Sequence, residues 1–273
     1  SLPSDYSFQW SYPAAFDLLS NLNEINTDIN SDGTLKSSRF IDEGISSAEF
    51  VFDLTDSFQT VEISPNFTIV TDLLPGKNDE VDIESSVRRI DTFTKRILDT
   101  LSNKKLLVLR KDYVKNPIFG VGQLAFLNPF PDEFIYETKF MKAYLASYLN
   151  ELFSINIRKE HWITGGIQTY VMMQYVEEFY SGSKFLGDLY RFKILGIRPF
   201  NSYSAANIGF NESFSFIAEF GEHGNRQQQD TLGKERLTKI NELYAIPYHV
   251  GAGLYYLGNY LGDDVLAKSI KSF

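Results

Sequence analysis

Cysteine is absent from this chain of 273 residues. A disulfide framework, a thiolate zinc site and a cysteine nucleophile are therefore excluded. Histidine is nearly as scarce, with only His161, His223 and His249. No two of them have the i, i+4 spacing that places two zinc ligands on one helix face. We therefore predict no histidine zinc site, and we expect His161 to bond to backbone at a helix end while the other two are structural or solvated.

Basic residues are outnumbered, and long apolar runs are missing. The chain has 26 Lys and Arg against 35 Asp and Glu, which gives a formal charge of -9. A surface of this sign repels the phosphates of nucleic acids. No stretch approaches the roughly 20 apolar residues that a membrane-spanning helix needs. We therefore expect neither a nucleic-acid partner nor a membrane-spanning segment.

Common catalytic and binding motifs are also missing or incomplete. The chain has no G-x-S-x-G elbow of a serine hydrolase. The sequence DINSDG supplies Asp28, Asn30 and Asp32 at the alternating spacing of a calcium loop, but Arg39 stands at the twelfth position. That position normally closes the shell with a bidentate Glu, so a cation there favours a plain polar turn. Residues 120–125 match G-x-G-x-x-A formally, and we interpret them as a strand because no helix pattern follows.

The residues that are present predict strands followed by helices. Aromatic and β-branched residues dominate 48–74, which indicates strands, and 79–101 has the apolar spacing of an amphipathic helix. Residues 104–114 and 120–128 are interpreted as two further strands. The chain after Pro131 is predicted to be mainly helical, at 134–152, 160–180, 184–195, 212–220, 234–244 and 248–273. This order predicts an α+β fold.

One of these helices resembles a specific segment of a known family. The segment WITGGIQTYVMMQYVEEFY, residues 162–180, is similar to the second zinc-site helix of the gluzincin metalloaminopeptidases, the aminopeptidase N-like enzymes with a thermolysin-like catalytic domain. That helix begins W-[LI]-x-E-G-[FLI]-x-[ST]-Y in the family. Six residues match it: Trp162, Ile163, Gly166, Ile167, Thr169 and Tyr170. Gly165 stands where the family has its zinc-binding Glu.

The resemblance also implies that the rest of the zinc site is gone. Counting back by the family's spacing places its H-E-x-x-H element at residues 142–146. Lys142 and Ala146 then replace the two His ligands, and Ala143 replaces the general-base Glu. None of these side chains can serve as a neutral zinc ligand or take a proton from water. The resemblance therefore implies no catalytic residues, no metal and no cofactor.

Weaker similarities flank the matching helix. In the segment NPIFGVGQLAF, Gln123 stands where the family binds the substrate amine with Glu, so the acceptor oxygen is kept and the charge is lost. Downstream, Tyr248 and Gly251 match a Y-x-K-G motif in which Val250 replaces the Lys. The resemblance implies that Gln123, Trp162, Tyr170 and Tyr248 are the candidate peptide-binding residues.

Over residues 82–273 the resemblance implies a thermolysin-like, zincin-like domain with a small mixed sheet and paired buried helices. We expect residues 1–80 to be the β-rich remainder of an N-terminal β-domain and 81–273 to be a catalytic-type domain truncated at its C-terminal end. The chain is then a piece of a longer protein, whose other domains are partners, and its location is extracytoplasmic or periplasmic if the full chain carries a signal. The expected function is non-catalytic binding of a peptide or protein, or a scaffold. The alternative is an active peptidase with an unrecognised metal site.

Overall fold

The computed structural model describes residues 4–45, 47–53, 57–101, 105–121, 129–153, 155–156, 158–187, 207–223 and 227–272, without the side chains of 220–223. Strands occupy the first part of the chain and helices the rest, which confirms the α+β class. The contacts divide the chain into two compact units. The first comprises Ser1–Leu74, Thr100–Asp112 and Ala143–Ile155, and the second comprises Pro75–Asp99, Tyr113–Lys142 and Asn156–Phe273. The predicted domain boundary at residue 80 stays a prediction.

The described part of the first unit holds eight strands: β1 (Ser4–Pro13), β2 (Asp17–Ser20), β3 (Asn23–Ile29), β4 (Leu35–Ile45), β5 (Phe50–Asp53), β6 (Gln59–Ser64), β7 (Phe67–Thr71) and β8 (Lys105–Val108). β4 is the central strand of an antiparallel sheet with the order β1-β4-β3, and β2 pairs with β5. Inward-facing residues of these strands, with Leu22 from the turn between β2 and β3, form one apolar cluster of Tyr12, Leu18, Leu22, Phe40 and Ile45. Alternation of buried and exposed positions is what a sheet with one covered face requires.

A small mixed sheet follows in the same unit. β6 and β7 form an antiparallel hairpin, and β7 pairs in parallel with β8. Ile69, Leu106 and Val108 are fully buried in it. β-Branched and leucine side chains on both faces are typical of a strand covered on each side.

Seven α-helices form the rest of the described chain: α1 (Ile83–Ile97), α2 (Arg110–Lys115), α3 (Asp132–Leu152), α4 (His161–Tyr180), α5 (Phe210–His223), α6 (Ile246–Leu261) and α7 (Asp263–Lys271). α1 is capped by Asp82, the residue before it, whose carboxylate accepts a hydrogen bond from the Ser85 N–H at 3.1 Å. This side-chain cap satisfies one of the free N–H groups at the helix start. None of the helices in the described ranges has both the length and the apolar character needed to cross a bilayer.

Several local predictions were wrong. The predicted strand at 104–114 ends at Val108, because the Asp72 carboxylate accepts the Arg110 N–H at 2.6 Å and a short helix begins there. The helix predicted over 79–101 is confined to Ile83–Ile97. The helix predicted at 248–273 is broken at Gly262, whose φ of 96° is a left-handed value that favours glycine.

Two other segments are shorter or less regular than predicted. The helix predicted at 234–244 consists of a 3₁₀ turn at Lys234–Arg236 and a π turn at Asn241–Ala245. Residues 184–187 form a turn, whereas most of the predicted helix at 184–195 lies outside the described residues. The same holds for most of the predicted strand at 120–128.

The DINSDG segment is the polar turn that its sequence predicts. The Asn30 N–H donates to the Leu35 carbonyl at 3.0 Å, which closes the β3–β4 hairpin. The Asp32 carboxylate accepts from the Thr34 N–H at 2.9 Å, and Gly33 has a φ of 72°. The acidic side chain is therefore occupied in holding the turn.

Candidate functional site

Lys142 lies in the middle of α3 and is only 2% exposed. Burial lowers the pKa of its ammonium group to about 7, and no neighbouring charge contributes to the shift. A buried lysine loses the favourable hydration of its charged form, so the neutral amine is favoured. The position that the resemblance assigns to a zinc ligand is therefore filled by a long aliphatic chain ending in an easily deprotonated amine.

A buried hydrogen bond joins α4 to α3 at this position. The Gln168 side-chain Nε2 donates to the Lys142 backbone carbonyl at 2.7 Å. Gln168 is itself 3% exposed. Because a buried amide without a partner is costly, this contact favours the observed alignment of the two helices.

The other three positions of the resemblance carry no metal-binding atom. Ala143 is buried on α3, Ala146 is half-buried on the same helix, and Gly165 is half-buried on α4. A Cβ built at Gly165 would come 3.1 Å from Cβ and Cγ of Pro247 in α6. Space beside Gly165 is thus taken by the proline ring, which would have to shift to admit a glutamate.

Zinc does not fit this set of residues. Zinc sites need three or four donors from His, Cys or carboxylate groups. Lys142 offers only an amine, whose pKa burial lowers to about 7, and the other three side chains offer no donor atom. Among the residues that the structure describes, no group of three or more His, Cys, Asp or Glu side chains could hold a metal ion.

His161 differs from its predicted role. It is the first residue of α4, as expected, but it is 6% exposed, and neither ring nitrogen has a hydrogen-bond partner in the described chain. The expected bond to backbone is therefore wrong. Desolvation, followed by the nearby charge of Lys234, lowers the pKa of the imidazole. His249 is exposed beside Gln227, and the side chain of His223 lies outside the described residues.

The candidate binding residues lie in different surroundings. Trp162 is half-buried in the first turn of α4. Tyr170 is 1% exposed, and its hydroxyl donates to Asp263 Oδ1 at 3.4 Å. Burial and the neighbouring carboxylate raise the pKa of Tyr170 to about 12. Gln123 lies outside the described residues.

Tyr248 is part of an aromatic cluster on α6. It is 1% exposed, and its hydroxyl accepts the Phe119 N–H at 3.2 Å. Its ring packs edge to face on Phe214, with ring centres 4.7 Å apart, and lies near Tyr244. Burial raises the pKa of the Tyr248 hydroxyl. Tyr170 and Tyr248 thus have hydroxyls already engaged within the protein, and the assignment of all four residues to peptide binding stays a prediction.

A buried carboxylate that the sequence did not single out as functional lies on α3 five residues before Lys142. Glu137 on α3 is fully buried, and its Oε2 accepts from the hydroxyls of Tyr175 at 2.6 Å and Tyr180 at 2.7 Å. Its Oε1 accepts from the guanidinium of Arg89, which also pairs with Glu133. The only sequence signal is an acidic residue on the apolar face of a helix. This network satisfies the carboxylate and holds α1, α3 and α4 together.

The chain is similar in fold to M1 zinc metallopeptidases. A structure of this enzyme from Deinococcus radiodurans is 11% identical, with a TM-score of 0.56, and matches 99% of this chain. A glutamate-to-alanine mutant from the same organism, bound to a Tyr-Ser-Ala substrate, is 10% identical with a TM-score of 0.58. A two-domain M1 zinc metallopeptidase mutant bound to L-tryptophan is 12% identical with a TM-score of 0.57.

This similarity concerns the fold alone. In each comparison the match includes 99% of this chain. It includes only 56% of the other chain, so this chain spans about half the length of the structures that it matches. No protein-family model matches the sequence, and no curated protein matches it. The fold agrees with the family that the 162–180 segment resembles.

Proposed function

We propose that this chain is a non-catalytic relative of the metalloaminopeptidases that binds a peptide or an extended protein segment. The observation that carries the proposal is the burial of Lys142 on α3 of a metallopeptidase-like fold. A lysine that is buried and partly protonated near neutral pH disfavours a divalent cation at its own position by charge and by volume. Its side chain also provides no nucleophile that could replace a metal-bound water in peptide hydrolysis.

The packing around Gly165 supports the same proposal. Pro247 occupies the space into which a side chain at Gly165 would extend. Gly166 is closer still to α6, because a Cβ there would lie 2.3 Å from Cγ1 of Val250. A side chain at Gly165 or Gly166 would therefore require Pro247 or Val250 of α6 to shift. The tight packing of α6 beside Gly165 thus supports a chain without the family's zinc-binding glutamate.

Peptide binding is proposed from the fold and from the half-buried Trp162 at the beginning of α4. A partly exposed indole offers apolar surface and an N–H donor, a combination that is common where peptides bind. We also propose that residues 81–273 correspond to the catalytic-type domain, with 1–80 as the preceding β-rich part. We propose the same non-catalytic binding for any longer protein that contains this chain, with its other domains as partners.

The two tryptophans allow a direct test. Trp10→Phe leaves Trp162 as the only indole, and Trp162→Phe leaves only Trp10. Each variant is titrated with a pool of unlabelled tripeptides while indole emission is recorded. We expect a saturable change for Trp10→Phe and none for Trp162→Phe. The absence of a saturable change in both variants would contradict peptide binding near Trp162.

Hydrolysis is measured on the unmodified chain with aminoacyl fluorogenic substrates, with and without added zinc. We expect no turnover above that of buffer. Metal-dependent turnover that a chelator abolishes would overturn the non-catalytic assignment and favour the alternative, an active peptidase with a different metal site.

A further inference from the structure

The imidazole of His161 is buried without a hydrogen bond at the beginning of α4. The residue is 6% exposed, and neither Nδ1 nor Nε2 has a partner among the described residues, although buried polar atoms normally have one. A neutral imidazole has one N–H donor, whereas the protonated ring has two donors and a positive charge. Burial of the protonated ring at this position would therefore cost more than burial of the neutral ring.

The charged groups near the ring do not compensate for its burial. Desolvation, and then the positive charge of Lys234, lower the pKa of the imidazole below its ordinary value of 6.5. The carboxylates of Glu242, Asp230 and Glu235 act in the opposite direction and are outweighed. The buried ring is therefore neutral at neutral pH.

Two carboxylates of this region already have other partners. Glu242 pairs with Lys234 at 3.2 Å and with Lys239 at 2.6 Å. Glu160, the residue before α4, accepts the Asn156 N–H at 3.1 Å. The first turn of α4 itself contains no acidic residue. A charge on the imidazole would thus have to compete for these carboxylates.

Three of the charged neighbours belong to residues 227–240, which we call the 227–240 loop. Gln228 closes this loop on itself, because its Nε2 donates to the Arg236 carbonyl at 3.0 Å and its Oε1 accepts the Thr238 N–H at 2.7 Å. All residues of the loop are exposed or half-buried. A loop with internal bonds and little buried surface can open without unfolding of the helices around it.

A backbone hydrogen bond joins the 227–240 loop to the turn before α4. The Lys234 N–H donates to the Arg158 carbonyl at 2.8 Å, three residues before His161. A positive charge on the imidazole would repel the ammonium group of the same lysine, and the charged ring would also require hydration. Both effects favour separation of the loop from α4.

We propose that His161 is an acid-sensitive latch for the 227–240 loop. While the imidazole is neutral, the loop stays closed at the beginning of α4. Protonation in mildly acidic solution favours an open arrangement, in which water reaches the ring and the ammonium of Lys234 moves away. This regulation is separate from peptide binding at Trp162 and does not depend on it.

Amide hydrogen exchange of the whole chain, followed by mass spectrometry and corrected for intrinsic exchange rates, measures opening of the loop. The open loop binds more protons than the closed loop below the ordinary histidine pKa, so lower pH favours opening. Between about pH 7.5 and about pH 5.5 the opening constant can rise by at most about tenfold, and we expect a rise of about threefold or more. An opening constant that does not change with pH would overturn the proposal.

Two histidine variants separate the latch from other titrating groups. His161→Phe keeps an aromatic ring but cannot be protonated, so the opening constant should no longer change with pH. His249→Gln is the matched control, because His249 is exposed and its Nδ1 lies 3.3 Å from Nε2 of Gln227 in the loop. We expect this control to keep the pH dependence. Lys142, whose pKa is about 7, is present in both variants, so its contribution cancels in the comparison.

His161→Leu replaces His161→Phe if the latter does not fold by circular dichroism. Persistence of the pH dependence without the imidazole of His161 would overturn the proposal. Loss of the pH dependence in His249→Gln would also overturn it, because the exposed histidine would then be the titrating group.

Discussion

Gly251 of α6 lies against Thr169 of α4 so closely that a Cβ at Gly251 would come 2.4 Å from the Thr169 Cβ. Real Cβ atoms are not found at such a distance, so the backbones of the two helices approach through this glycine. Gly166 makes the reciprocal approach from α4 to Val250. This close contact of α4 with α6 places Cβ and Cγ of Pro247 3.1 Å from where a Cβ at Gly165 would lie.

Replacement of two glycines in one helix tests this contact. Gly251→Ala should lower the free energy of unfolding by about 1–3 kcal/mol, because the added methyl group overpacks the helix interface. Gly253→Ala, two residues further along α6, meets no atom within 4 Å and should raise the free energy by about 0.5–1 kcal/mol. Urea unfolding of both variants measures the difference. Similar values for the two would contradict the close approach of α6 to α4.

Lys142 should make stability depend on pH above neutrality. The folded-state pKa of about 7 lies below the value of 10.5 for a free lysine. Between these two values the unfolded chain binds more protons than the folded chain, so the free energy of unfolding rises with pH from about 7 to 10.5. Below about pH 7 the lysine is charged in both the folded and the unfolded chain, so the cost of burying that charge lowers the free energy of unfolding in full.

Lys142→Met should remove this pH dependence and stabilise the chain at neutral pH by an amount on the order of a few kcal/mol. Lys115→Met, at an exposed position, is the matched control and should leave the pH profile unchanged. Urea unfolding at a series of pH values checks both. An unchanged profile in Lys142→Met would show that the lysine is not buried as an isolated cation.

Glu137 and Glu133, both on α3, bind Arg89 but differ in burial. Glu137 is fully buried, whereas the side chain of Glu133 is 52% exposed. Glu137→Gln should destabilise the chain by about 1–3 kcal/mol, because the partly exposed Arg89 and the hydroxyls of Tyr175 and Tyr180 lose their charged acceptor. Glu133→Gln should cost less than about 1 kcal/mol, as is usual for exposed pairs. Thermal unfolding of the two variants separates these outcomes, and equal losses would contradict the buried network.

A fourfold variant tests the register that the resemblance assigns. Lys142→His, Ala143→Glu, Ala146→His and Gly165→Glu together supply the family's zinc ligands and general base. We expect this variant to bind zinc in a calorimetric titration, with reduced stability because Pro247 must shift to admit the new glutamate. A variant that folds by circular dichroism yet binds no zinc would contradict the assigned positions.

Sequence patterns predicted the helices α1, α3 and α4 because their apolar spacing repeats over several turns. Residues 104–114 were harder to interpret, since the start of α2 depends on a hydrogen bond from Asp72, which is distant in sequence. The break at Gly262 requires a left-handed backbone angle that glycine permits but does not enforce. Local pattern therefore predicts long elements better than it predicts their ends.

The candidate site was only partly accessible to sequence reasoning. The residue types at 142, 143, 146 and 165 can be read directly, and they already lack zinc donors. The burial of Lys142, the position of Pro247 and the burial of His161, whose ring has no hydrogen-bond partner among the described residues, all depend on contacts between helices. Such contacts leave no periodic signal in one sequence.

The central claim is that the zinc chemistry of the fold is missing from this chain. Metal content by mass spectrometry on protein purified without chelator, followed by calorimetric zinc titration, tests it most directly. We predict no stoichiometric metal and no saturable zinc site. One tightly bound zinc per chain would contradict the account, because it would require ligands other than those at positions 142, 146 and 165.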